Sequence, residues 1–319
     1  MTNHLSRRLF LQAGSASAFS PALLFETQIM NAKPSNFPIG LQLYTVGAEM
    51  ENDPAGTLKQ VAAAGYTHVE LSPMTKMSPK DLRKALDGVG LKNPSGHYLL
   101  PDLMSNLAQK MEAAKELGEE FMIVTVPWVA DPSRLKKDPG QGQMEFFMSV
   151  LNSLTLDDWK WNADQFNKIG EQTKKAGLQL GYHNHNFEFK SYGDTTGYDE
   201  FLRLTDPDLV KLELDCGWVT VAGKDPLAYL HKYPDRYRLL HIKDFKKGFT
   251  PRTTIMDKGP NPPVPTELGR GSIDYSAIFK AAHDAKVQEF LVEQEPPFVE
   301  MPALEAIKVD YQYVHKLMA

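Results

Sequence analysis

Leu178-Gln179-Leu180-Gly181-Tyr182-His183-Asn184-His185-Asn186-Phe187-Glu188-Phe189 joins a short apolar run to an abrupt set of polar groups. Residues 178–181 read as the body of a buried strand. Two imidazoles, an amide and a carboxylate follow where that strand runs out. Side chains alternate along a strand, so His183 and His185 point to the same side. Two histidines sharing a face at a strand end suit metal or substrate chemistry.

The pattern around this stretch repeats. From residue 39 onward, short β-rich apolar runs alternate with longer amphipathic ones. The strand candidates are 39–45, 68–71, 91–97, 121–126, 179–183, 210–215, 237–243 and 290–294. Helix patterns lie between them at 55–64, 79–89, 102–117, 158–176, 198–204, 226–232, 275–285 and 302–317. Ser78-Pro79, Pro101-Asp102 and Asp225-Pro226 are helix-start signals, and Gly65, Gly90, Gly118 and Gly177 stand where helices end. Eight strands alternating with eight helices predict an α/β fold, a (β/α)8 TIM barrel; an open doubly wound sheet is the alternative. Two segments exceed ordinary connections: 127–157 and 246–273. Both follow strands, which puts them on the face where barrel active sites assemble.

With 319 residues, 42% of them hydrophobic, the chain can fill one large core. Residues 36–319 are expected to form a single barrel domain. The net charge is −5, and no basic stripe interleaved with aromatics occurs, which argues against nucleic acid as a partner. The single cysteine, Cys216, rules out an intrachain disulfide and a zinc thiolate cluster. Residues 1–35 read as an export signal and linker. Ser6-Arg7-Arg8-Leu9-Phe10-Leu11-Gln12 resembles a twin-arginine signal, with a mildly apolar region after it. That region is short and broken by serines and a proline, so no stable membrane association is expected after processing. The expected location is the periplasm or beyond.

Four consecutive strand ends carry ionisable groups. Strand six ends Leu212-Glu213-Leu214-Asp215, with Asp215 and Glu213 on one parity. Strand seven carries His241 and Lys243 on one face, and strand eight Glu293 and Glu295. A charged group inside an apolar strand is costly unless paired or bound to a metal. A mixed His, Asp and Glu set suits Mn²⁺, Co²⁺, Zn²⁺, Fe²⁺ or Mg²⁺.

These residues, with Gly40-Leu41-Gln42-Leu43-Tyr44-Thr45, Gly65-Tyr66-Thr67-His68-Val69-Glu70-Leu71 and Leu268-Gly269-Arg270-Gly271-Ser272-Ile273-Asp274, resemble the xylose isomerase-like TIM barrel family of sugar phosphate isomerases and epimerases, which includes endonuclease IV relatives (AP endonuclease family 2). The resemblance spans about 39–317. It implies a divalent metal held by Glu, Asp, His and Glu from strands five to eight. Asp215, His241 and Glu293 match the last three positions. His183 stands where the family usually has glutamate and is assigned as the first ligand, with His185 and Glu188 as alternates.

In the epimerases of this family, two metal-bound glutamates on opposite faces of the substrate move the proton α to a carbonyl. Here that pair is broken; either Glu188 is the replacement or the reaction needs only one strong base. Glu293, Glu188 and Lys243 are therefore the expected catalytic groups. His97, His185, Trp218, Tyr44 and Arg270 are expected to bind substrate, with Glu70 and Trp128 as lesser candidates. The expected function is a sugar isomerase or epimerase acting on an unphosphorylated sugar or keto-sugar. The alternatives are a keto-glycoside lyase or inosose-type dehydratase, whose β-elimination starts with the same proton abstraction, and a nonenzymatic sugar-binding barrel. The expected partner is a small sugar; relatives often pair through the strand-end face, which admits a homo-oligomer.

Overall fold

The computed structural model describes residues 38–72, 76–255 and 259–319; the expected export segment lies outside them. Eight parallel strands close into a barrel: β1 (Ile39–Gln42), β2 (His68–Leu71), β3 (Lys92–Leu99), β4 (Phe121–Val126), β5 (Gln179–His183), β6 (Val210–Asp215), β7 (Tyr237–Ile242) and β8 (Glu289–Val292). Each pairs with its neighbours in sequence order, and β8 closes on β1 through Ile39↔Phe290 and Leu41↔Val292. The (β/α)8 expectation holds, and the doubly wound alternative falls because no strand pair is left open.

Helices α1 (Pro54–Ala64), α2 (Pro79–Val89), α3 (Leu100–Leu117), α4 (Leu156–Lys175), α5 (Gly197–Leu204), α6 (Pro226–Lys232), α7 (Tyr275–Asp284) and α8 (Ala303–Met318) follow the strands. Their starts are chemically marked. Asp53 and Ser78 accept from the backbone N–H groups of Gly56 and Asp81. Thr155 and Asp158 form a reciprocal capping box at α4. Gly90 and Gly118 end α2 and α3 at φ 75° and 78°, a region that L side chains rarely adopt. Among the described residues, no helix is long and apolar enough to cross a membrane.

The segment 127–157 is more ordered than its sequence suggested. It holds a helix, Gln143–Asn152, whose Val150 and Leu151 are buried. A second short helix, Cys216–Val221, starts directly after β6, capped by Asp215. Both lie on the face where the strands end.

The barrel interior has two levels. Phe121, Ile123, Leu239 and Leu291 form a small apolar cluster separate from the main strand–helix core. Two of the strands thread this floor with glycine, because there is no room for more. A Cβ on Gly40 would stand 2.5 Å from Leu291 Cδ2, and one on Gly181 2.4 Å from Ile123 Cδ1. One step further along the same faces the lumen turns polar: Leu239 is followed by His241, Leu291 by Glu293 and Gly181 by His183.

Candidate metal centre

The polar level is built from strand ends. Gln42, Glu70, His183, Glu213, Asp215, His241, Lys243 and Glu293 are all buried, and His97 nearly so. Two groups of four bring potential ligand atoms within 4.8 Å of one another: His183, Asp215, His241 and Glu293, and, deeper, His97, His183, Glu213 and His241. The first is the set expected from the sequence. Lys243 Nζ lies 2.7 Å from Glu293 Oε2 and 3.1 Å from Asp215 Oδ2, and also pairs with Glu295.

The deeper carboxylates set the histidines. His183 Nδ1 is 2.9 Å from Glu213 Oε2, while its Nε2 faces Asp215 Oδ2 at 3.9 Å. The network thus has His183 donating Nδ1–H to Glu213 and turning its Nε2 lone pair toward Asp215. His241 is held the other way round. Its Nε2 is 2.6 Å from Glu70 Oε2, and its Nδ1 faces Glu293 at 3.1 Å and Asp215 at 3.9 Å. His97 Nε2 bridges Glu70 at 2.8 Å and Glu213 at 3.0 Å, and Gln42 completes the ring by donating to Glu70. Carboxylates that fix a ligating histidine's tautomer are the usual support of a metal site.

Charge follows the same division. Burial and the neighbouring cations push the His183 pKa well below its ordinary value, so this ring is neutral. Burial opposes a charge on His241, yet Glu213 and Glu293 outweigh it and raise its pKa strongly. Burial likewise opposes charging of His97, but Glu70 and Glu213 hold its pKa at about 9. Burial and the Glu70 charge push Glu213 up to about 7. Burial raises Asp215 against the pull of Lys243.

A divalent cation fits this donor set. Two imidazoles and two carboxylates converge, and Asp215 Oδ2, fully buried, has the Lys243 ammonium 3.1 Å away but no geometric hydrogen bond among the described residues. A buried carboxylate oxygen without a hydrogen bond favours cations around it. His, Asp and Glu together suit Zn²⁺, Mn²⁺, Co²⁺ or Mg²⁺.

Around the centre, Trp218 donates from Nε1 to Glu295 Oε1 at 3.0 Å, and its ring lies 5.1 Å from Lys243 Nζ. His185 is half-buried, with its ring 4.9 Å from that of His183 and 6.0 Å from that of Trp218. Tyr44 is 39% exposed at the end of β1. Burial and the charges of Glu295 and Glu293 raise its pKa.

Three sequence candidates lie elsewhere. Glu188 accepts from Tyr182 OH and from the His185 N–H, both at 2.8 Å, and belongs to neither converging set. Tyr182 is on the opposite parity to His183 and packs on Trp159 and Phe166 of α4, outside the lumen. Arg270 is exposed and pairs with Glu267 at 3.2 Å. Trp128 packs on Phe147. Conversely, Glu213 and Gln42 are not among the sequence-based site candidates, and Glu70 is only a lesser one. Their signal was there: each is a polar residue on the inward parity of a buried strand.

A model of the xylose isomerase-like TIM barrel family matches residues 58–310. An inosose dehydratase of Clostridium perfringens is 33% identical over 266 residues, covering 81% of this chain and 88% of its own length. A sugar phosphate isomerase/epimerase structure from Parabacteroides distasonis superposes with a TM-score of 0.67 at 26% identity, covering 91% of this chain and 97% of that one. A xylose isomerase-like barrel protein from Mycobacterium smegmatis, solved with magnesium, superposes with a TM-score of 0.60 at 17% identity, covering 89% and 97%. With the closed barrel, the strand-end cluster and a family match over most of its length, the chain belongs to the xylose isomerase-like TIM barrel family.

Proposed function

We propose that this protein is a divalent-metal-dependent lyase that removes water or another leaving group from an unphosphorylated keto-cyclitol or keto-sugar by β-elimination. The observation that carries this reading is the histidine at the end of β5. Two-base epimerisation needs a base on each face of the substrate, a pair of glutamates in the epimerases this chain resembles, and His183, neutral and tied to Glu213, stands in place of one of them. Elimination needs one base and one acid on adjacent carbons. Glu293 and Lys243, 2.7 Å apart, supply that pair. The inosose dehydratase likeness favours elimination over the isomerase or epimerase activity expected from the sequence.

An ion held by His183, Asp215, His241 and Glu293 would polarise the substrate carbonyl and acidify the adjacent C–H. Glu293 Oε2, which faces His241 Nδ1 and Lys243 Nζ, is the oxygen turned toward the ion site, and the other oxygen takes the α proton. Lys243 is fully buried, and Asp215, Glu293 and Glu295 keep it protonated against the cost of burial. It hydrogen-bonds the substrate and delivers a proton to the departing oxygen. Glu295 and the Trp218 ring position the ammonium. Tyr44, His185 and Trp218 are the half-exposed groups that meet the sugar. Export through the twin-arginine route, read from Ser6-Arg7-Arg8-Leu9-Phe10, is part of the proposal and agrees with a substrate lacking phosphate.

The test is incubation of metal-loaded protein with a keto-inositol in D₂O. The expected product is dehydrated. An epimer carrying solvent deuterium at the α carbon would instead establish the isomerase reading, and neither product would leave a sugar-binding barrel.

A further inference from the structure

A cavity opens beside the centre at the strand-end face. It has a volume of about 410 Å³ and is lined mainly by Leu43, Tyr44, Met50, Pro54, Met77 and Pro296, with Ser72 as a small polar member. Its position follows from the chain. Leu43 and Tyr44 come directly after Gln42, which donates to Glu70 in the buried network, and Pro296 comes directly after Glu295, which holds Lys243. The ends of β1 and β8 are stitched together by Gln294 N–H donating to Thr45 Oγ1 at 3.1 Å. The cavity therefore shares the Tyr44 wall with the reaction centre.

Its chemistry differs sharply from that of the centre. Two methionines, two prolines and a leucine make it apolar and deformable. The charges at its border, Lys76 and Glu51, neutralise each other at 2.8 Å on the exposed rim. A second sugar ring would bring hydroxyls that need partners in such a lining. A flat apolar ring needs none, and the volume falls in the range of small-molecule pockets.

We propose that this cavity is the leaving-group subsite and that the substrate is a keto-glycoside with a neutral, apolar, aryl-type aglycone. The inference rests on the elimination reading and sharpens it from loss of water to loss of an alcohol or phenol. The α C–H bond breaks and its proton goes to Glu293. The electron pair forms the C=C bond, the C–O bond to the aglycone breaks, and Lys243 protonates the departing oxygen. The products are an unsaturated keto-sugar and HO–R; proton exchange with solvent resets Glu293 and Lys243.

Two measurements test this. The first is a fluorescence titration of the full chain with 2-naphthol, in wild type, Met77→Asp and Met50→Asp. Both methionines are only partly buried, so the variants are expected to fold. Saturable binding that weakens at least tenfold in both variants is expected. No binding, or binding unchanged by both substitutions, overturns the subsite even if keto-inositol is dehydrated normally. The second is the ratio of kcat/KM for a 3-keto-glucoside with a naphthyl aglycone to that for one with a methyl aglycone. The ratio is expected to exceed ten in wild type and to fall toward one in Met77→Asp. A wild-type ratio near one overturns the leaving-group assignment. Naphthol binding with no turnover of either glycoside or of keto-inositol removes the elimination reading, and the leaving-group assignment with it.

Discussion

Glu213→Gln isolates the deeper half of the proposed metal centre. Glu213 Oε2 accepts from His183 Nδ1 at 2.9 Å and from His97 Nε2 at 3.0 Å. The amide keeps the shape but offers one acceptor oxygen and a donor in place of a carboxylate, so one of the two rings loses its partner and the other a charge-assisted bond. Each such bond contributes about 1.5–3 kcal/mol. With His183 no longer fixed as the Nδ1–H tautomer, its Nε2 lone pair is aimed at the ion only part of the time. Loss of one such support costs about 10- to 100-fold in metal affinity, or roughly 1.4–2.7 kcal/mol, in line with one bond of that strength. The assay is competition for Zn²⁺ or Mn²⁺ against a chelating dye at fixed pH, with circular dichroism confirming the fold. An affinity within twofold of wild type in a correctly folded variant would refute the claim that Glu213 orients His183.

Other consequences follow from the same geometry. Glu188→Ala leaves Tyr182 OH and the His185 N–H without their acceptor in buried space, so denaturant melts should show a loss of about 2 kcal/mol or more; metal affinity by the same dye assay should stay within twofold. Leu291→Ala opens the apolar floor and is expected to cost about 2–5 kcal/mol in the same melts. Burial raises the carboxyl of Glu119 from 4.5 to about 7, so its contribution to stability is full below pH 4.5 and is lost as pH rises through 7. Glu119→Gln should remove that loss, and wild type should fall by about 3 kcal/mol relative to the variant between pH 4.5 and 8 in urea melts. A divalent ion at 100 times its Kd should stabilise the chain by about 2.7 kcal/mol, and a chelator should abolish that gain in a thermal scan.

The barrel and the convergence of His183, Asp215, His241 and Glu293 could be read from the chain because both depend on local pattern. Eight apolar runs with helix caps between them determine the strand count, and parity places His183, Asp215, His241 and Glu293 on their strands. What parity does not give is height in the lumen. Glu70 and Glu213 meet His241 and His183 only through the stagger of eight strands, including a register shift between Leu212 and Glu213. That shift brings both Glu213 and Asp215 to histidines from neighbouring strands. Glu188 shows the reverse case. It is close in sequence to His183, but the short turn Phe187–Phe189 folds it back onto Tyr182, on the outer side of β5. The helix at Gln143–Asn152 was hidden behind a run of lysine, proline and glycine that reads as loop.

The most direct test of the account is anomalous diffraction from crystals grown with Mn²⁺ or Zn²⁺. One strong peak is expected, bonded to His183 Nε2, Asp215, His241 Nδ1 and Glu293 at about 2.0–2.3 Å, with Glu213 and Glu70 still holding the far nitrogens of the two rings. A peak on His97 and Glu213 instead, or no ion among these residues at saturating metal, would contradict it.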